Sequence, residues 1–551
     1  MVSLNSKSGF RFMVLAGIIA AAMTIVATRQ GIILLAYDST RYIDTAQNIV
    51  LGNGFLNDEI YSFLRNPLTL DPPLYPLVIA MFIYSGVGTV TALILINAIS
   101  FVVSALCGGV VVCKMTSSGK AGIIASFIVA CSYRMVYIHA MALSEPVFLV
   151  TVIGAALCLS DYILHEKVSS FYASALCAAA AFYTRYVGVT VVFTAMASLL
   201  LLHRQPGKKR FVDSLGYFCI GSIPTGFWML RNTIITGNPF HKYFSFKLIE
   251  AAKIRMLSHG IWGWVFPGNT LPHLTVPIMG VCSILLIIMV FKSKHLQVFE
   301  KSVARRGRKF SFGLFQKADS FRHPLFGILF IFIIVYMSFL IVSMLFFDHE
   351  TPFDIRIMLP VQYCFIIIGI SAFTEVYRAA VERNVRIVLV AAAFVFCIGS
   401  SATSVRWATK DKSRQKWNLL VGCEKSEIQK NVSRIPPNVK VYSNNPTTLE
   451  CLFRRQSCPV PWEFSPADKP LDAGDSLVVK NDLVLRRNIF RQELLHNTAV
   501  VVWLDSARFS LPDYAENQPF DSIKKGFNLT LVNSSDKGLV QTYEYSAVSC
   551  Q

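Results

Sequence analysis

Charge is scarce in this chain. Asp, Glu, Lys and Arg make up 15% of its 551 residues, against 54% hydrophobic ones, too little to coat a water-soluble globule of that size. Repeated apolar runs of about 20 residues have no home except a bilayer, so the sequence reads as an α-helical polytopic membrane protein. The apolar runs are nearly free of charge and no internal repeat is visible. A polytopic transporter of a lipid-linked or small polar substrate, the alternative function, would instead carry acids or bases in mid-span, helices broken near the midplane and two similar halves. A receptor held by a membrane anchor would not need so many spans.

Eleven spans are predicted, at about 11–36, 89–113, 121–140, 146–163, 169–184, 187–202, 212–230, 272–291, 324–347, 357–374 and 387–404. The apolar stretch Leu74 to Tyr84 is too brief to cross alone, since a crossing needs about 17–25 residues; it lies along the interface or packs into the bundle. Lys7 and Arg11 precede the first run, and Val26-Ala27-Thr28 resembles a signal-peptide cleavage site. That run exceeds a typical signal core, so it is read as a retained span.

The formal charge of +19 would suit a nucleic-acid partner, but the basic residues fall where the positive-inside rule places them. Arg204, Lys208, Lys209 and Arg210 sit in one connection, nine Lys or Arg in 292–323, and Arg378, Arg383 and Arg386 in another. These connections read as cytoplasmic, and no nucleic acid is expected. Alternation then puts 37–88, 141–145, 185–186, 231–271, 348–356 and everything after about 405 outside. Residues 37–72 carry five acids against Arg41 and Arg65, the opposite bias. The chain is thus expected in the plasma or inner membrane, with a transmembrane domain over 1–404 and an extracytoplasmic domain over 405–551.

In 405–551 charge returns and β-branched bursts appear at Val439–Tyr442, Ser476–Val479 and Ala499–Trp503. They alternate with helix-like stretches, which predicts a small α/β domain. It has no glycine-rich phosphate loop and no metal spacing. Cys423, Cys451, Cys458 and Cys550 all fall here, and an oxidising compartment would allow one or two disulfides, with the pairing open. The sequons at Asn431, Asn528 and Asn533 carry no argument.

Several outer segments share an ordered series: Asp38-x-x-x-Tyr42, Asp71-Pro-Pro-Leu-Tyr75-Pro76, Ser144-Glu145-Pro146, Thr184-Arg185-Tyr186-x-Gly188, Arg231-Asn232 with Gly237-Asn-Pro239, and Asp354-x-Arg356-x-x-x-Pro360. Over residues 1–404 this series resembles the GT-C superfamily of integral membrane glycosyltransferases, and within it the protein mannosyltransferase and aminoarabinose transferase branch. The adjacent Asp-Glu pair of the eukaryotic protein mannosyltransferases is missing at position 38, where Ser39 follows the acid. The resemblance implies transfer of one sugar from a polyprenyl-phosphate carrier to an acceptor hydroxyl on a lipid, glycan or protein at the outer face, with inversion.

Such a reaction sets three requirements. The acceptor hydroxyl needs a base, and the resemblance assigns that role to Asp38, with Asp44 as rival and Tyr42 either orienting substrate or packing. The leaving phosphate needs cations, and arginine's planar fork suits it; Arg185, Arg231 and Arg356 are the candidates. The lipid tail needs an apolar groove. Loop 231–271 interleaves Lys242, Lys247, Lys253 and Arg255 with aromatic and aliphatic residues in a loosely amphipathic helical pattern suited to the interface. Glu145 and Asp354 either bind sugar hydroxyls or pair with Arg185 and Arg356. No protein ligand set for a metal is assigned. A divalent cation stays open as a cofactor: Asp348-His349-Glu350 offers oxygen and nitrogen ligands, but neighbours in sequence do not easily face one ion, and no Cys-x-x-Cys or His-x-x-x-His occurs in the outer segments.

Overall fold

The computed structural model describes residues 7–28, 37–58, 65–239, 244–251, 253–257, 323–349, 351, 353–379, 383–410, 435, 436, 438–443, 458–460, 488–490, 492–494, 496, 499–504, 529–535 and 540–545. The chain divides into two compact units, residues 1–28 with 68–409, and residues 29–67 with 410–551.

The first unit is helical: α1 (Lys7–Ala27), α3 (Leu74–Tyr84), α4 (Thr89–Thr116), α5 (Gly119–Cys131), α6 (Tyr133–His139), α7 (Glu145–His165), α8 (Val168–Thr184), α9 (Val189–Leu202), α10 (Gly207–Thr236), α11 (Pro324–Phe346), α12 (Leu359–Ala379) and α13 (Arg383–Lys410). The label α2 is kept for a helix of the second unit. Ten of the eleven predicted spans fall on these helices; the span at 272–291 lies outside the described residues. By length and composition α1, α4, α7, α11 and α12 can each cross a membrane, and α5 with α6 makes a sixth if the bent pair is one span. Exposed apolar side chains such as Ile18, Ile99, Phe227 and Ile334 line the outward faces, a surface that calls for lipid rather than water. This is an integral, multi-pass membrane protein.

Two boundaries differ from the sequence reading, while the short stretch Leu74–Tyr84 packs into the bundle as one of its expected alternatives. The first helix ends at Ala27, and residues 29–36 lie outside the described residues. The span expected to run unbroken over 121–140 is bent by 55° at Ser132. There the Ser404 hydroxyl of α13 donates to the Cys131 carbonyl at 2.6 Å, and Trp407 packs edge-on against Tyr133 and Tyr137 at 5.8 and 5.1 Å. A side chain from another helix thus takes up a carbonyl that the bend leaves open. Finally, α3 is a real helix that buries Tyr75, Pro76, Ile79 and Ala80 and leaves Met81 and Tyr84 exposed.

Small residues let helices approach closely in this unit, as is usual where lipid replaces water. A Cβ on Gly122 would lie 2.6 Å from the Gly109 carbonyl oxygen, and one on Gly109 would lie 2.7 Å from the Gly122 oxygen, so α4 and α5 touch backbone to backbone. Gly122→Ala should therefore destabilise the protein by about 1–3 kcal/mol. Thermal unfolding in detergent reads this, and an unchanged midpoint would refute the contact. Ser174 ties three helices: its hydroxyl donates to the Ala155 carbonyl of α7 at 2.8 Å and meets the Tyr217 hydroxyl of α10 at 2.8 Å.

The second unit holds α2 (Tyr37–Val50) and a small hairpin, β1 (Leu56–Asp58) and β2 (Arg65–Pro67), pairing antiparallel with Asn57 opposite Asn66. Asn48 of α2 donates to the Leu56 carbonyl at 3.3 Å. Its later part is a five-stranded sheet made of β3 (Lys440–Ser443), β4 (Cys458–Pro459), β5 (Ala499–Leu504), β6 (Leu529–Ser535) and β7 (Val540–Tyr545), in the order β4-β3-β5-β7-β6. Strands β4, β3 and β5 are parallel, and β5, β7 and β6 antiparallel. The apolar bursts at 439–442 and 499–503 become β3 and β5, whose Val441, Tyr442, Val500, Val501 and Val502 are buried. Tyr442 stacks edge-on to Phe490 at 4.4 Å and donates to Glu493 at 2.6 Å. The burst at 476–479 and Cys423, Cys451 and Cys550 lie outside the described residues.

Candidate functional site

Five residues after α6, the chain turns into α7 with Ser144 at the cap position and Glu145 as the first helical residue. An acid in the first turn suits the positive end of a helix, and Pro146 in that turn needs no backbone donor. Glu145 is 1% exposed. Its Oε1 receives Arg185 at 2.8 Å and the Nε of Arg356 at 3.2 Å. Arg185 also donates to the Ser144 hydroxyl at 3.2 Å. One carboxylate therefore holds two guanidiniums from distant parts of the sequence, each side chain still about a fifth exposed, 20% and 23%.

Arg185 is delivered by the end of α8. It is extended, at φ −152° and ψ 137°, and is followed by a single 3-10 turn, Tyr186–Gly188. Arg356 comes from the segment before α12. There the half-buried Asp354 accepts the Ile357 N–H at 2.9 Å, and the buried Tyr336 hydroxyl of α11 donates to the Ile357 carbonyl at 2.7 Å. Loss of water around Asp354 pushes its carboxyl above the ordinary 3.8 despite the Ile357 hydrogen bond and Arg356. A carboxyl raised on folding favours the folded state while protonated, and that contribution is lost as pH rises through the raised value. Asp354→Asn keeps an acceptor for Ile357 and should flatten this decline; melting curves from pH 4 upward that match wild type would overturn the assignment.

Arg231 belongs to a second polar group. It lies within α10 rather than at its end, its guanidinium donates to the Leu68 carbonyl and to the Asn232 side chain, and it covers the Trp228 ring at 4.6 Å. The Tyr186 hydroxyl donates to the Thr69 carbonyl at 2.6 Å and accepts from Trp228 at 3.1 Å and Asn232 at 3.3 Å. Asn232 also donates to the Pro239 carbonyl at 3.2 Å, across a helix end closed by Gly237 at φ +73°. Two consecutive carbonyls, Leu68 and Thr69, are thus pinned just ahead of the buried Asp71. Sequence reasoning named Tyr186 and Asn232 as motif letters without a role and missed Trp228, although its spacing of four from Asn232 on one helix face was a usable signal.

Asp38 and Tyr42 lie on α2 in the second unit. Asp38 sits in the first helical turn and pairs with Arg41 at 3.0 Å; Tyr42 and Asp44 are buried. Of the loop expected to form an amphipathic helix, residues 244–250 are not helical, whereas 251 and 253–257, with Lys253 and Arg255, are. Ser245 and Lys247 instead donate their N–H groups to the Phe346 and Leu345 carbonyls at the end of α11, both at 3.0 Å. His349 engages both ring nitrogens, with the Met344 carbonyl and the Ser245 hydroxyl. Among the described residues no cluster of three or more His, Cys, Asp or Glu is placed to hold a metal ion.

This architecture is the GT-C fold of membrane glycosyltransferases. It is similar to two crystal structures of ArnT from Cupriavidus metallidurans, each 12% identical over 98% of both chains: one bound to undecaprenyl phosphate, TM-score 0.53, and one in the apo state, TM-score 0.51. It is also similar to the arabinofuranosyltransferase AftD from Mycobacteria, at 13% identity and TM-score 0.51, covering 98% of this chain and 40% of that one. Residues 71–225, just over a quarter of the sequence, match the family described as dolichyl-phosphate-mannose-protein mannosyltransferase. Among curated proteins no sequence match was found. The resemblance read from the sequence to the GT-C superfamily and its mannosyltransferase and aminoarabinose transferase branch therefore holds.

Proposed function

We propose that this protein transfers a monosaccharide from a polyprenyl-phosphate carrier to an acceptor hydroxyl on a lipid, glycan or protein at the outer face of a plasma or inner membrane, with 405–551 as an extracytoplasmic α/β domain. The observation that carries this reading is the pair Arg185 and Arg356 held on the buried Glu145, within a fold that in ArnT takes up undecaprenyl phosphate. In the reaction the acceptor oxygen attacks the anomeric carbon from the face opposite the carrier. The carbon–oxygen bond to phosphate breaks, the configuration inverts, and the polyprenyl phosphate leaves as an anion. Its charge needs cations rather than a proton, the task of Arg185 and Arg356, with Glu145 setting their directions. The acceptor's proton goes to Asp38. Arg231 gives its hydrogen bonds to Leu68 and Asn232 and acts here by holding the segment before Asp71.

The test is transfer of labelled sugar from synthetic polyprenyl-phosphate donors by purified protein in lipid. Asp38→Asn, which removes basicity at constant shape, should slow transfer about 10²–10⁴-fold while donor binding persists. Asp44→Asn serves as the comparison, and a wild-type rate in Asp38→Asn would transfer the role or end it. A transporter is the second reading, favoured by one observation, the 55° break between α5 and α6. Movement of intact lipid-linked sugar across a vesicle without any transfer would select it.

A further inference from the structure

Seven acidic, basic or imidazole side chains are buried among the described residues: Arg41, Asp44, Asp71, Arg134, His139, Glu145 and His203. Six have at least one polar or electrostatic contact within the protein. Arg41 pairs with Asp38, Glu145 with two arginines, and His203 lies 3.5 Å from Asp213. His139 meets the Met135 carbonyl, and Asp44 and Asp71 have partners of their own. Arg134 stands apart. It is 8% exposed, yet no hydrogen bond or ion pair reaches it among the described residues. Arginine is seldom so deeply buried without a partner, and no Arg134 nitrogen is wholly enclosed, so a ligand can reach the guanidinium.

Its position says what kind of partner is missing. Arg134 is the second residue of α6, directly after the bend at Ser132. Tyr133 and Tyr137 of the same helix gather around Trp407, and tyrosine with tryptophan in a membrane protein marks the depth of the lipid headgroups. At that depth the abundant anion is phosphate, which a planar guanidinium grips with two parallel hydrogen bonds. We propose that Arg134 is a binding site for a lipid-borne phosphate, separate from the pair Arg185 and Arg356. The assignment does not depend on the glycosyl-transfer reading. Two lipids carry the required chemistry, an anionic phospholipid of the surrounding membrane and a polyprenyl phosphate.

The full chain, purified in a maltoside detergent that contains no phosphate, is titrated with phosphatidylglycerol in one arm and undecaprenyl phosphate in the other. Bound lipid is counted by native mass spectrometry for wild type, Arg134→Gln and Arg356→Ala. Arg134→Gln should bind one lipid fewer than wild type in at least one arm, and the arm names the source. In the undecaprenyl phosphate arm a loss confined to Arg356→Ala belongs to the donor site and counts against Arg134. Equal lipid counts for wild type and Arg134→Gln in both arms overturn the proposal. Stability supplies the second readout. Without lipid, Arg134→Gln should melt no lower than wild type, since it removes an uncompensated charge; with lipid, only wild type should gain. A variant that melts lower in the absence of lipid would show that Arg134 contacts protein, and would overturn the site as well.

Discussion

Gly188→Ala should be among the most damaging single-atom additions to this protein. A Cβ at that position would fall inside contact distance of the Ala181 carbonyl carbon and oxygen and of the Phe182 nitrogen. All three are backbone atoms of α8, so no rotamer change can make room, and either α8 or the turn Tyr186–Gly188 must move. Overpacking a well-packed interior costs about 1–3 kcal/mol, and with three backbone atoms in the way the cost here should lie at or above the top of that range. The damage is also local to function. The turn is fixed by the Gly188 N–H to the Arg185 carbonyl at 2.8 Å, so a displaced turn shifts Arg185 away from Glu145 and Tyr186 away from Thr69 together. The expected result is a lowered thermal midpoint and, in whatever protein folds, transfer reduced more than Gly122→Ala reduces it. Equal effects of the two substitutions on transfer would show that the turn does not position Arg185.

Glu145→Ala should be the second severe change, for an electrostatic reason. It leaves two guanidiniums, both mostly buried, facing each other without the carboxylate that joined them. Removing one member of a buried ion pair typically costs about 3–5 kcal/mol, and partial solvent access at both arginines places this case near the lower figure. The cost should shrink when one arginine is removed as well. Glu145→Ala with Arg356→Ala should be milder than the sum of the single changes by about 1–2 kcal/mol, since contacting residues couple by 0.5–3 kcal/mol. Additive single and double variants in thermal unfolding would mean that the three residues do not act as a unit.

Much of the helical framework was readable because long uncharged runs leave a chain few choices. α4, α7 and α11 start and stop within about three residues of their apolar stretches, the usual slack in helix boundaries. The bend at Ser132 was not readable. Nothing in Ala130-Cys-Ser-Tyr133 signals a break, as there is neither proline nor glycine, and the hydroxyl that meets the Cys131 carbonyl comes from Ser404, more than 270 residues away. The shared carboxylate was half readable: pairing of Glu145 with Arg185 was one of its two expected roles, whereas its second arginine, Arg356, was not foreseen. Sequence places Glu145, Arg185 and Arg356 near helix ends, but only packing of α7, α8 and the segment before α12 makes one acid serve two arginines. Arg231 misled for a complementary reason: an arginine near the end of a span usually reaches for headgroups, whereas this one is turned back onto Trp228 and the Leu68 carbonyl.

The pinning of Leu68 and Thr69 bears on how this protein can change over evolutionary time. Residues 29–67 leave the helical unit after the buried Thr28 and return at Leu68, so this 39-residue excursion has both ends fastened. Closure entropy grows only with the logarithm of length, and ten added residues would cost the helical unit about 0.2 kcal/mol. The part of the excursion between α2, which carries Asp38, and Leu68 can therefore change length while Arg185, Glu145 and Arg356 keep their contacts. Insertions there leave the framework that carries the arginines intact.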